Sequence, residues 1–313
     1  MSGKPIIVFD TSGLNRLAKD ADSQPLVAGL RAGYRVCLTA MSVDELLATP
    51  KVEDRTKFFD YCRRISPDGI ICLASAGLII QKMVATFSRN PDAFDWMHVT
   101  ICLKAYEDAI ARYEEIVTDE KLSEEQRNFA KKVKKTFEGW FRNLKPGIRA
   151  IYEKAGSRPH PYAEVLKLSQ EDGGIFWGFA KELYRTAQEW NASFDSLDGP
   201  DPDRRESERI PVPDDDTVKS FVSACPSFRC VVLAFILVWY DRSVRGDGAK
   251  PRFEAGNIDH YMSAYLPYFP QFITDDPNQQ SSLQEIATVC GLNTQVRLYD
   301  DFYTGFMVMG KSA

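Results

Sequence analysis

The stretch Phe272-Ile273-Thr274-Asp275-Asp276-Pro277-Asn278-Gln279 runs two apolar residues into a Thr, two adjacent acids and a Pro. Pro277 cannot donate to a sheet ladder, so a strand that includes Phe272 stops here. Two roles fit the acids at the stop. Thr and Asp are favoured N-caps, Pro is favoured in a first turn, and carboxylates suit the positive end of a helix. The same acids also suit a metal ion. The choice turns on whether other strands of this chain end in acids.

They do. Pro5–Phe9 (PIIVF) is a short apolar run rich in β-branched residues, the pattern of a strand buried on both faces of a parallel sheet, and Asp10 ends it. Tyr34–Thr39 (YRVCLT) predicts a second strand. Shortly after it, Glu45 lies in Ser42-Val43-Asp44-Glu45, which has the spacing of a capping box. Phe272–Thr274 ends at Asp275 and Asp276, and Thr294–Tyr299 predicts a last strand. Helical patterns separate these strands over Leu14–Lys19, Gln24–Arg31, Glu53–Arg64, Asn257–Leu266 and Leu283–Cys290. Alternating strands and helices predict a three-layer α/β unit.

Between the two ends the texture is helical. Ser123-Glu124-Glu125-Gln126 has capping-box spacing, and Phe129, Val133, Phe137, Phe141 and Leu144 behind it fall on one helical face. Residues 195–216 form an acidic loop with Pro200, Pro202, Pro211 and Pro213, followed by an apolar helix from Pro226. The expected organisation is an α/β domain built from residues 1–90 and 250–313, with a mostly helical insertion over 91–249.

Bulk properties bound the function. The 313 residues suffice for one large domain or two smaller ones. At a net charge of -5 the molecule is no basic sleeve for nucleic acid, so a polyanion needs a local patch or a metal. The 7 Cys make no CxxC pair, which fits free thiols in a reducing compartment. The N-terminus meets Asp10 too early for a signal peptide. The longest apolar run, Val231–Tyr240, falls short of the ~20 residues of a membrane span. A cytoplasmic protein with no membrane partner is expected.

In an open parallel sheet, ligands bind beyond the carboxyl ends of the strands. If the strands are neighbours, Asp10, Glu45, Asp276 and Asp259, in the first turn of its helix, converge at one edge. Carboxylates crowded together disfavour ionisation. A hard cation resolves the conflict, and all-oxygen ligation suits Mg²⁺ or Mn²⁺. Each acid also has an ordinary role: Asp10 and Asp276 as helix caps, Glu45 as the partner of Ser42, and Asp259 against a helix dipole. The two kinds of role are compatible.

This arrangement resembles the PIN-domain nucleases. The matching motifs are Asp10-Thr11-Ser12 after the first strand, Glu45 in SVDELLA, Asp259 in GNIDHYMSAY, and Thr274-Asp275-Asp276. The closing run SSLQEIATVCGLNTQVRLYDDF is similar as well. The resemblance implies a Rossmann-like three-layer PIN fold with a central parallel sheet. It implies a metal-dependent ribonuclease, often a toxin paired with an antitoxin. Asp10, Glu45, Asp259 and Asp276 would be the catalytic metal ligands for Mg²⁺ or Mn²⁺, with Ser12 or Thr274 orienting them. Asp275 sits at the variable place of Thr-x-Asp. His260, beside Asp259, supports the site or faces substrate, or is an ordinary polar helix residue. The helical insertion departs from compact PIN toxins. Expected partners are RNA, an antitoxin or other protein, and a second copy of the chain.

Competing classes fit less well. A PIN-like scaffold without nuclease activity has no need of the intact acid set. A haloacid-dehalogenase-type phosphatase needs an acid where Ser12 stands. No GxGxxG or GxxxxGK[ST] motif supports a nucleotide enzyme, and no GxSxG supports a Ser hydrolase. The run Arg127–Arg149 is rich in Lys and Arg. Its Lys131, Lys132 and Lys135 read as a solvated helix face or as a guide for the RNA backbone.

Overall fold

The structure is a computed structural model. It describes residues 4–20, 23–65, 71–99, 113–128, 131, 160–171, 174–194, 213–244 and 259–310. Five strands form one sheet: β1 (Ile6–Phe9), β2 (Arg35–Thr39), β3 (Ile71–Leu73), β4 (Gln271–Thr274) and β5 (Gln295–Leu298). Their order is β3-β2-β1-β4-β5, and every neighbouring pair is parallel. The mixed α/β class with a parallel sheet therefore holds. Four strands fall where the apolar runs predict them. The fifth, β3, is too short to stand out as a pattern and gains its place by pairing with β2.

The central strand segments are mostly apolar because both faces are covered, whereas the edge strand β5 carries Gln295 and Arg297. Ile7 and Phe9 of β1, Val36 and Leu38 of β2, and Ile273 of β4 enter one core. That core includes Leu14 and Leu17 of α1 (Thr11–Lys19), Leu26 and Leu30 of α2 (Gln24–Gly33), and Phe59 of α4 (Val52–Ile65). Tyr299 and Phe302 complete it from a final helix, Tyr299–Gly310, that the sequence pattern does not announce. The alternate residues Val8, Cys37, Phe272 and Val296 enter the opposite core. There they meet α5 (Ala76–Arg89) and the helices Tyr162–Gln170, Ile175–Phe194, Asp215–Ala224, Pro226–Val244 and Pro277–Val289. Period-two alternation along β1, β2 and β4 thus makes three layers.

Every described element from Ala76 to Tyr268 is helical. The helices from Tyr162 to Val244 share one continuous core with the sheet instead of forming a separate body. The Pro226–Val244 helix lies at the centre of that core: Val231 to Tyr240 are all buried, and it packs along Asp259–Tyr268. Among the described residues no single helix is long and apolar enough to cross a membrane. Of the loop expected over 195–216, residues 195–212 lie outside the described residues, and its end is helical instead: Asp214 caps the helix Asp215–Ala224 by accepting from the Thr217 N–H.

Two caps differ from the expected ones. Thr39, not Ser42, caps α3 (Ala40–Leu47), accepting from the Ser42 N–H at 3.0 Å. Glu45 therefore sits inside the helix and does not close a box. Likewise Asp119 accepts from the Leu122 N–H at 2.9 Å, leaving Ser123 inside the helical residues 120–128. Ser123 instead accepts from Arg55 at 3.0 Å. Arg55 is fully buried and also donates to the Val117 carbonyl at 2.8 Å, the Thr49 carbonyl at 2.7 Å and Glu120 at 2.7 Å. It ties α4 to the 113–128 segment. The helix expected over Asn257–Leu266 is a 3-10 helix, Asp259–Tyr268, with Pro267 inside it. Gly291, at φ 67°, ends Pro277–Val289 as expected; the Gly291 and Leu292 N–H groups reach the Thr288 and Ala287 carbonyls.

Candidate functional site

β1 lies between β2 and β4, so the chain reverses direction of travel across the sheet at the β1/β4 boundary. A crevice opens at such a switch point, outside the carboxyl ends. The register pairs Val8 with Phe272 and Phe9 with Ile273, which brings Asp10 level with Thr274. The Asp10 N–H donates to the Ile273 carbonyl at 3.0 Å, extending the ladder one residue past the strand.

Asp10 is the N-cap of α1. Its Oδ1 accepts from the Gly13 N–H at 2.7 Å, and the Ser12 hydroxyl lies 2.9 Å and 3.0 Å from its two oxygens. Thr274 Oγ1 lies 2.7 Å from its Oδ2. Gly13 is required for closeness: a Cβ there would stand 2.9 Å from the Ile273 carbonyl oxygen and 3.2 Å from Asp10 Oδ1. Thr274 is a hub. Its hydroxyl lies 2.8 Å from Gln279 Oε1 and 3.0 Å from the Ser12 hydroxyl, and it accepts from the Asp276 N–H at 3.1 Å. Ser12 in turn accepts from the Asp275 N–H at 2.8 Å. Ser12 and Thr274 thus fix the orientation of Asp10.

Asp276 caps the helix Pro277–Val289, accepting from the Asn278 N–H at 2.7 Å and the Gln279 N–H at 3.3 Å. Capping and site-lining prove compatible. Asp10, Glu45 and Asp276 all line one cavity of about 220 Å³, together with Thr11, Ser12, Asn15, Met41, Ser42, Met262 and Gln279. Asp275 is exposed and does not line it. Adjacent residues at a strand end point to opposite sides, and Asp276 is the one turned inward.

The electrostatics are those of crowded, dry carboxylates. Burial pushes the Asp10 carboxyl up to about 7, against the opposing pull of the Gly13, Thr274 and Ser12 hydrogen bonds. The nearby Glu45 charge adds to the rise. Burial also raises Glu45, opposed by a hydrogen bond from Thr11. Among the described residues, no three His, Cys, Asp or Glu side chains stand close enough to make a ready metal cluster.

The remaining expected residues fall as follows. Asp259 opens the 3-10 helix, and its side chain lies outside the described residues. His260 neither lines the cavity nor faces solvent; it is 2% exposed and packs its ring on Phe235 at 4.2 Å and Tyr261 at 4.6 Å. It follows its helix into the core because the Pro226–Val244 helix covers that face. Lys131 is helical and exposed, whereas Lys132 and Lys135 lie outside the described residues. Thr11 stands in the first motif without an assigned role, and Asn15 and Gln279 are cavity residues that motif reading passes over. Helical spacing would have found them: Asn15 follows Thr11 at i+4, and Gln279 follows Asp276 at i+3.

Comparison with protein-family models, curated proteins and solved structures finds no match for this chain.

Proposed function

We propose that this chain is a PIN-like, Mg²⁺- or Mn²⁺-dependent endoribonuclease. The observation that supports this best is the shared cavity. Asp10, Glu45 and Asp276, from three separate elements, line one crevice at the sheet's switch point. The donors are hard anionic oxygens, which suit these ions. Among the described residues, the groups that act on the buried, raised Asp10 carboxyl are hydrogen-bond donors and the Glu45 carboxylate, not a cation, which suits a carboxylate that receives a metal ion.

Asp10, Glu45 and Asp276 would hold the metal. Position 259 shares the 3-10 register of Met262, which lines the cavity, and this supports Asp259 as a further ligand. Such an ion, when bound, lowers the pKa of a water and neutralises charge on a phosphoryl group. The chain's own part is positional. Ser12 and Thr274 hold the Asp10 carboxylate in one orientation. Thr11 holds Glu45. Asn15 and Gln279 offer amides at the cavity wall for a phosphate oxygen or ribose hydroxyl. A toxin-like role with an antitoxin or other protein partner, a homodimer and a cytoplasmic location belong to the same reading.

The test is Mn²⁺-dependent cleavage of single-stranded RNA. Asp10→Asn, Glu45→Gln and Asp276→Asn should each lower the rate by more than the roughly 10–100-fold that loss of a supporting residue costs. Asp275→Asn, outside the cavity, should stay near wild type. A folded wild type that cleaves no RNA with either ion would favour a PIN-like scaffold instead.

A further inference from the structure

Two thiols face each other at the far end of the helix that begins beside Asp276. Cys290 is the C-cap of Pro277–Val289, and Cys230 lies in the second turn of Pro226–Val244. Their sulfurs are 3.6 Å apart although the residues are 60 apart in sequence. The two helices pack directly on one another. Cys290 is held by three backbone bonds around the Gly291 turn, from its own N–H to the Ile286 carbonyl and from Gly291 and Leu292 to Thr288 and Ala287. The two sulfurs differ in access: Cys230 is fully buried and Cys290 is partly exposed.

We propose that Cys290 and Cys230 form a peroxide-responsive thiol pair that closes to a reversible disulfide. The Cys290 thiolate attacks one peroxide oxygen; the S–O bond forms, the O–O bond breaks, and the hydroxide leaves as water with the proton that Cys290 gave up. This yields the Cys290 sulfenic acid. The Cys230 sulfur then attacks the Cys290 sulfur; the S–S bond forms, the S–O bond breaks, and the hydroxide departs as water with the Cys230 proton. Two thiols lose two electrons and one hydrogen peroxide becomes two waters.

The surroundings divide the roles. The Cys230 S–H directed at Cys290, aided by the Arg229 guanidinium, draws the Cys290 thiol below its usual range. Arg229 is itself anchored on Gln170 Oε1 at 2.9 Å. Burial raises the Cys230 thiol, so it stays protonated until a sulfenic acid forms beside it. A low-pKa thiol with access to solvent and a buried partner in contact is the arrangement of an attacking and a resolving cysteine. Closing the gap from 3.6 Å to a bond of about 2.05 Å draws on the helix that carries Asp276 and Gln279.

The experiment is hydrogen peroxide treatment of the full chain, followed by alkylation and peptide mass mapping. Wild type should yield a Cys230–Cys290 cross-linked peptide, about 2 Da lighter than the two thiol peptides together and abolished by dithiothreitol. Cys230→Ala should instead accumulate a dimedone-reactive sulfenic acid or a sulfinic acid at Cys290. Cys290→Ala should leave Cys230 unmodified. Over-oxidation of Cys290 in folded wild type without the cross-link would overturn the proposal, as would a Cys290 that peroxide leaves untouched. Because the first and last readouts use wild type, misfolding of a variant does not rescue the idea.

Discussion

Asp10→Asn offers the most direct test of the crowded site, because it removes a charge without removing the shape. In the metal-free protein the Asp10 carboxyl rises from 3.8 to about 7, chiefly through burial. An acid raised on folding contributes fully below its unfolded value, and that contribution is lost as pH rises through its folded value. Asp10 therefore weighs against the fold as pH climbs from about 4 to about 7. At about 1.4 kcal/mol per unit the full effect is roughly 4 kcal/mol, of which roughly 2.5 kcal/mol develops between pH 5 and pH 8. Asp10 is only 4% exposed, so solvent screens little of this. Asn keeps the N-cap acceptor for Gly13. Its amide hydrogens must replace bonds from Ser12 and Thr274, which costs about 1–3 kcal/mol at any pH. That cost cancels when the two proteins are compared at two pH values. Urea unfolding in EDTA should show the variant gaining about 2.5 kcal/mol on wild type between pH 5 and pH 8. A stability difference that stays constant across this range, or that moves in favour of wild type, refutes the buried, raised carboxyl.

Other predictions test the supports. Thr274→Val keeps the shape but strips the hydroxyl that contacts Asp10, Gln279, Ser12 and the Asp276 N–H, so it should cost about 1–3 kcal/mol by urea unfolding, with Thr274→Ser recovering most of it. Arg55→Met leaves the Val117 and Thr49 carbonyls without their donor and should cost about 3–5 kcal/mol. Glu120→Gln should cost under about 1 kcal/mol, since Glu120 is 59% exposed. Changing Lys131, Lys132 and Lys135 together to Gln should flatten the salt dependence of RNA binding by about 2 log units per decade of salt, at roughly 0.7 per phosphate released. An unchanged slope returns these Lys to an ordinary solvated helix face.

Much of this protein is written locally. The two-sided burial of β1, β2 and β4 shows in their mostly apolar runs, because a strand covered on both faces has no polar side to alternate with. The acids at Asp10 and Asp276 announce themselves as caps, because a helix start needs acceptors for its first N–H groups. Gly291 marks its helix end through the left-handed backbone it allows. Local pattern fails where the partner is distant. Ile71–Leu73 becomes a strand only by lying against β2. Ser42 looked like a cap, yet Thr39 holds the position because β2 delivers it there in extended conformation. His260 reads as a site-supporting or ordinary polar helix residue until the Pro226–Val244 helix is laid over it. Asp275 and Asp276 differ in sequence only by their place in Thr-x-Asp, and the direction in which β4 ends turns Asp276 alone to the cavity. Cys230 and Cys290 carry no shared motif, and only helix packing brings their sulfurs into contact. Sequence determines each element's period, caps and buried faces, because those depend on neighbours within a turn or two. The ladder register of β1 on β4 depends on the whole chain folding back on itself, so only the tertiary structure sets Asp10 beside Thr274 and closes a cavity between them.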